Sequence, residues 1–196
     1  MREPQNISDL LKLQPDFIGF IFYPKSKRYV DENLPEIDFG NTLKTGVFVD
    51  EHSDKVLETA QKYRLDVLQL HGSESPEYCQ NLKKKSYQII KVFSVGTDFN
   101  FNQCVDYEGI VDLFLFDTKG KLPGGNGQVF NWDILSAYDL KTPFLLSGGI
   151  GLQHLSAIKK FTHPQLIGID VNSGFESRPG YKNINELKTF FHEIRS

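Results

Sequence analysis

Two unbroken apolar runs, each ending in glycine, lie close together toward the carboxyl end of this sequence. They are PFLLSGGIG, residues 143–151, and LIGIDVNSG, residues 166–174. A run without polar alternation reads as a strand buried on both faces. Glycines at its carboxyl end let backbone amides approach a ligand closely. A helix starting just beyond such a strand adds partial positive charge, which suits a phosphate. Gly148 and Gly149 after the first run, and Ser173 and Gly174 after the second, are thus candidate phosphate donors. Asp170 stands at the end of the second strand as a further candidate for substrate binding.

The same apolar signature recurs five times upstream: FIGFIFY (17–23), GVFVD (46–50), VLQLHG (67–72), QIIKVFSV (88–95) and LFLFDT (113–118). Amphipathic stretches alternate with these runs. The spacing predicts helices over 53–64, with Ser53 as its cap, from Ser75-Pro76 onward, and over 131–138, 152–161 and 183–194. Repeated strand–helix crossovers imply a parallel sheet, closed or doubly wound. Two neighbouring phosphate-grade loops at the end of the series point to a (β/α)8 TIM barrel. Such a barrel has eight strands and opens on a strand. Here seven strands are readable, and the chain opens on a helix at Ile7-Ser8-Asp9-Leu10-Leu11. The expectation is a single domain, residues 1–196, lacking the barrel's first strand.

The formal charge of −3 argues against a nucleic-acid partner, which favours a basic face. The basic run Lys83-Lys84-Lys85 reads as a solvated helix end. No apolar run approaches the ~20 residues that span a bilayer, and the polar start MREPQNISDLLKL has no signal-peptide core. Two cysteines, Cys79 and Cys104, make neither a disulfide framework nor a metal cluster. A cytoplasmic protein with no membrane partner is expected.

Active sites of these barrels sit at the carboxyl ends of the strands. Asp117 closes LFLFDT, and an acid emerging from a buried strand into a partly dry mouth can act as a general acid. It can equally cap a loop. Gly124-Gly125-Asn126-Gly127 reads either as a flexible turn or as a loop whose amides close over a substrate. Arg28, beyond the first readable strand, can bind a carboxylate through two parallel hydrogen bonds, or belong to a solvated loop with Lys25 and Lys27. Gln69 and His71 end the VLQLHG strand, where a histidine is more often a hydrogen-bonded loop residue than a catalyst. Neither cysteine falls at a strand tip.

Together, GFIFYPKSKRY, GVFVD, LQLHGSE, FDT with the following GGNG and FNW, LSGGI and DVNSGFES-PG resemble the phosphoribosylanthranilate isomerases of tryptophan biosynthesis. The resemblance runs from the first helix to about Lys182 in the family's order. It implies a cofactor-free Amadori rearrangement of N-(5-phosphoribosyl)anthranilate, a small sugar phosphate, by a monomer or homodimer. By resemblance, Asp117 is the acid that opens the furanose ring and Arg28 the partner of the anthranilate carboxylate. Gly148, Gly149, Ser173 and Gly174 match the phosphate loops, and Gly124 and Gly125 lie in a loop that reaches toward the phosphate end.

The family's general base is a cysteine in a K-x-C-G motif on the first strand. Neither Cys79 nor Cys104 matches it, and Met1-Arg2 aligns just after it. The expectation is a start assigned one strand late, at the sequence's one methionine. A missing strand forgoes ~5–9 kcal/mol of apolar burial against a typical domain stability of ~5–15 kcal/mol. The 196-residue chain alone is therefore expected to be poorly soluble or destabilised, and inactive until such a strand is restored. Two other readings are another phosphate-binding barrel enzyme, such as indole-glycerol-phosphate synthase, and a barrel that binds a phosphorylated ligand without catalysis.

Overall fold

The structure is a computed structural model and describes residues 1–30, 34, 36–118 and 131–196. Seven parallel strands form one sheet in sequential order: β1 (Phe17–Ile21), β2 (Leu43–Phe48), β3 (Val67–Leu70), β4 (Gln88–Val95), β5 (Leu113–Thr118), β6 (Phe144–Leu146) and β7 (Leu166–Ile169). Each predicted strand is present. The second begins earlier than GVFVD suggests, because Leu43, Lys44 and Thr45 also join the ladder to β1.

The apolar runs lack alternation because both faces of the sheet are covered. Val67, Ile90, Val92, Leu113, Leu115 and Leu145 pack together on the inner face. Their neighbours Leu68, Leu70, Ile89, Phe114, Phe116 and Phe144 join the larger outer core beneath the helices. Aromatic rings fill much of that layer, with Phe116 edge-on to Tyr138 at a centroid distance of 5.4 Å.

Helices α1 (Pro4–Leu11), α2 (Ser53–Tyr63), α3 (Pro76–Lys83), α4 (Asn102–Val105), α5 (Leu155–Lys160) and α6 (Ile184–Arg195) lie between or beside the strands. Ser75 caps α3 by accepting from the Tyr78 amide at 3.2 Å, with Pro76 in the first turn as expected. Ser53, in contrast, is the first helical residue of α2, and His52 holds the cap position without a side-chain hydrogen bond. Residues 132–137 form a 3-10 helix rather than an α-helix. Its Asn131 cap accepts from the Asp133 amide, a tight local turn that competes with α-helical propagation. Lys83 of the basic run pairs with Asp112, while Lys84 and Lys85 are exposed.

The sheet curls as a barrel does. Arg195 of α6 donates to the carbonyls of Leu13 and Gln14, just after α1, at 2.8 and 2.6 Å. Past β7, a small antiparallel hairpin of β8 (Glu176–Arg178) and β9 (Tyr181–Lys182) reaches the same side. Asn6 of α1 holds that hairpin with two hydrogen bonds to the Lys182 backbone, at 2.7 and 2.9 Å. Among the described residues, β1 and β7 do not pair with each other. The Met1 amino group donates to the Gly19 carbonyl of β1 at 3.1 Å.

Candidate active site

Side chains alternate between the two faces of a strand, so the inner-face residues of each strand predict what its carboxyl end presents. Following Val67 inward gives Gln69 and His71. Leu113 and Leu115 lead to Asp117, Leu145 to Ser147, and Gly168 to Asp170. Polar groups replace apolar ones on the same face as each strand ends, and they converge at the mouth of the sheet.

Asp117 Oδ2 lies 3.5 Å from His71 Nε2, and both side chains are partly open to solvent. On the far side of the ring, His71 Nδ1 is 3.4 Å from the Gln69 side-chain nitrogen. In the tautomer in which Nδ1 accepts from this amide, Nε2 carries the proton facing the carboxylate. Asp170 accepts from Ser147 Oγ at 2.7 Å. Burial raises its pKa above the usual aspartate value; the Ser147 hydrogen bond opposes the rise and the nearby Asp117 charge adds to it.

The two glycine loops are locked to each other and to β5. Gly148 has a φ of +97°, and a Cβ there would lie 2.1 Å from Thr118 Oγ1. Thr118 Oγ1 in turn donates to the Gly148 carbonyl at 3.2 Å. Gly149 also has positive φ. A Cβ on Gly174 would lie 2.1 Å from the Ile150 carbonyl oxygen, so the loop after β7 rests directly on the loop after β6. No hydrogen bond among the described residues takes up the amides of Gly148, Gly149, Ser173 or Gly174. The helix expected beyond the first loop begins as the 3-10 turn Leu152–His154 ahead of the six-residue α5. The loop amides, not a long helix dipole, are what this corner offers an anion.

Arg28 and Asp170 flank the mouth from the outer strands. Arg28 Nε donates to both Glu176 carboxylate oxygens at 3.1 and 2.8 Å, and Nη2 lies 2.6 Å from Oε2. Lys182 Nζ is 3.1 Å from Glu176 Oε1. Burial would raise the Glu176 pKa, but Arg28 and Lys182 outweigh it and hold it below the usual glutamate range. Lys182 is itself pushed down by burial, with Glu176 as the main opposing charge.

A second buried pair shapes the loop that carries His71. Lys91 Nζ lies 3.0 Å from Glu74 Oε2 and 2.6 Å from the Gly72 carbonyl. Glu74 accepts from the amides of Gly72 and Asp50, and Asp50 Oδ1 from the amide of Ser73 at 2.6 Å. Asp50, just beyond β2, is therefore committed to tying two loops together. Sequence reasoning passed over Glu74 and Lys91, although a lysine inside QIIKVFSV signals a buried ion pair. Glu176 and Lys182 leave no comparable signal in the sequence, and the local sequence at His71 favours a loop residue. Gly124 and Gly125 lie outside the described residues. Cys79 and Cys104 are fully buried in the outer core, and burial pushes their thiols up to about 11 and about 12. No group of three or more His, Cys, Asp or Glu among the described residues is placed to hold a metal ion. No helix among them is long and apolar enough to cross a membrane.

The pattern of the family described as "PRAI: N-(5'phosphoribosyl)anthranilate (PRA) isomerase" matches residues 1–193. The chain belongs to the phosphoribosylanthranilate isomerase family. An N-(5'-phosphoribosyl)anthranilate isomerase from Parabacteroides distasonis is 47% identical, over 99% of this chain and 90% of its own length. Phosphoribosylanthranilate isomerase from Thermotoga maritima superposes with a TM-score of 0.84 at 29% identity, over 100% of this chain and 95% of that one. Another phosphoribosylanthranilate isomerase, in complex with reduced 1-(o-carboxyphenylamino)-1-deoxyribulose 5-phosphate, gives 0.82 at 27% identity with the same coverage. The chain is thus an isomerase of tryptophan biosynthesis with a TIM-barrel-type fold.

Proposed function

We infer that the site is built for the conversion of N-(5-phosphoribosyl)anthranilate to 1-(2-carboxyphenylamino)-1-deoxyribulose 5-phosphate, with Asp117 as the acid that opens the furanose, and that residues 1–196 open the ring but lack the base that completes the isomerisation. The proton passes from the Asp117 carboxyl to the ring oxygen. The bond from that oxygen to C1′ breaks as the anthranilate nitrogen lone pair forms the C1′–nitrogen double bond. The His71 Nε2 proton faces the carboxylate left behind and stabilises it. To complete the rearrangement a base must then take the C2′ proton, giving an enol that tautomerises to the ketone. Family resemblance assigns that second step to a cysteine in a K-x-C-G motif that this sequence does not contain. Cys79 and Cys104 do not take the role, since both lie under the helices away from the mouth.

The remaining residues sort by the ends of the substrate. The free amides of Gly148, Gly149, Ser173 and Gly174 suit its phosphate, and Asp170 with Ser147 suits a sugar hydroxyl. Strands lie ~4.8 Å apart, and those loops follow the next strand and the one after it, so Asp117 is one or two strand spacings from them. That span matches the reach from a ribose ring oxygen to its 5-phosphate. Arg28 suits the anthranilate carboxylate. The reading takes residues 1–196 as one domain, with no cofactor.

The observation that carries this reading is the acid at the end of β5 beside two interlocked loops with unclaimed amides. Ring opening does not require removal of the C2′ proton, so it can be followed alone. The open-chain imine is trapped with cyanoborohydride during incubation with phosphoribosylanthranilate. Asp117→Asn is expected to slow trapping by ~10²–10⁴-fold. Equal trapping by the two proteins would remove Asp117 from the chemistry.

A further inference from the structure

Arg28 reaches the site already engaged. Its Nε and Nη2, one edge of the guanidinium, are both taken by Glu176. Nη1 makes no hydrogen bond or ion pair with any described residue, and one hydrogen of Nη2 is left over. The Nη1–Nη2 edge is therefore a two-donor fork with the spacing of one carboxylate.

Glu176 is held more firmly than an ordinary surface partner. Its side chain is 4% exposed. Oε1 also accepts from the Gly180 amide and from Lys182 Nζ, each at 3.1 Å. Lys182 is fixed by the Asn172 carbonyl and side-chain oxygens, and its backbone by Asn6. Gly180 makes the turn of the β8–β9 hairpin at a φ of +81°. The whole hairpin thus presents one carboxylate, from the far end of the sheet, to one arginine in the loop after β1.

We propose that Glu176 is a positioning residue: it locks Arg28 by one edge so that the other edge is preset for a single aromatic carboxylate on the substrate. A flexible arginine would lose rotamer freedom on meeting its ligand, and one clamped beforehand has already lost it. Lys182 balances the second negative oxygen, leaving Arg28 a net attraction for a further anion. This rests on the functional reading above, in which Arg28 meets the anthranilate carboxylate.

The test is calorimetric binding of two ligands to the 196-residue chain. One is reduced 1-(o-carboxyphenylamino)-1-deoxyribulose 5-phosphate. The other is the same compound built on aniline, which lacks the carboxylate. Glu176→Gln is expected to weaken the first by about tenfold or more and to leave the second unchanged. A merely structural role would weaken both alike, and that result overturns the proposal. Glu176→Gln leaves Lys182 buried without its counter-charge. Should that variant not fold, the neutral pair Glu176→Gln/Lys182→Met is measured, and the same selective loss is expected. No binding of the carboxylated ligand by the unaltered chain would overturn the functional reading and this proposal with it. Binding of both ligands with equal affinity by the unaltered chain would overturn the role of Arg28 and Glu176 alone.

Discussion

Gly148 shows how much a single residue can settle. Its backbone has the sign of φ that side chains disfavour, and the Thr118 main chain stands where a Cβ would go. Gly148→Ala is expected to cost ~1–3 kcal/mol in backbone strain and more from the clash, read as a fall in urea midpoint with an unchanged slope. Asp117 was legible for a related reason: an acid that ends an unbroken apolar strand has one place to be. His71 was not. Its significance lies in the carboxylate 3.5 Å away on β5, two strands across, which no local window reports. His71→Asn leaves the acid in place. It is expected to slow imine trapping less than Asp117→Asn does, and a larger loss would make the histidine the primary proton donor.

Among the elements, strands and helices differ in how openly the sequence declares them. Strands were readable because burial on both faces leaves few polar residues in each run. The β8–β9 hairpin was not, since ESR and YK carry no apolar pattern, and the pair is held in place by Asn6 and the Arg28–Glu176–Lys182 cluster. The Lys91–Glu74 pair is the counterpart inside the barrel wall, with side chains 3% and 2% exposed. Lys91→Met strands the Glu74 carboxylate in the outer core and is expected to cost ~3–5 kcal/mol. Lys91→Met combined with Glu74→Gln should recover part of that in urea unfolding. The neighbouring thiols of Cys79 and Cys104 should stay silent to a disulfide reagent in the folded protein and react in denaturant. Rapid labelling without denaturant would show that the helix layer opens.

For the molecule as a whole, one consequence is a dependence on pH. The Glu176 pKa is lower in the fold than in the unfolded chain. Its contribution is therefore complete above the unfolded value, ~4.3, and is lost as pH falls through the folded one. Glu176→Gln should be less stable than the unaltered chain at pH 7, with the difference shrinking below about pH 4. A constant gap down to pH 3 would mean that charge at Glu176 does not hold the two ends of the sheet. Those ends meet only because the sheet curls, bringing the loop after β1 to a hairpin that follows β7. By itself the sequence determined the succession of strands, their parallel order and the glycines at their tips, since burial and backbone sterics act on neighbouring residues. Only the tertiary structure decided which distant charges pair: Arg28 with Glu176, Lys91 with Glu74, His71 with Asp117. The worth of a charge depends on how far it is withdrawn from water and what it then faces, and both are properties of the closed shape.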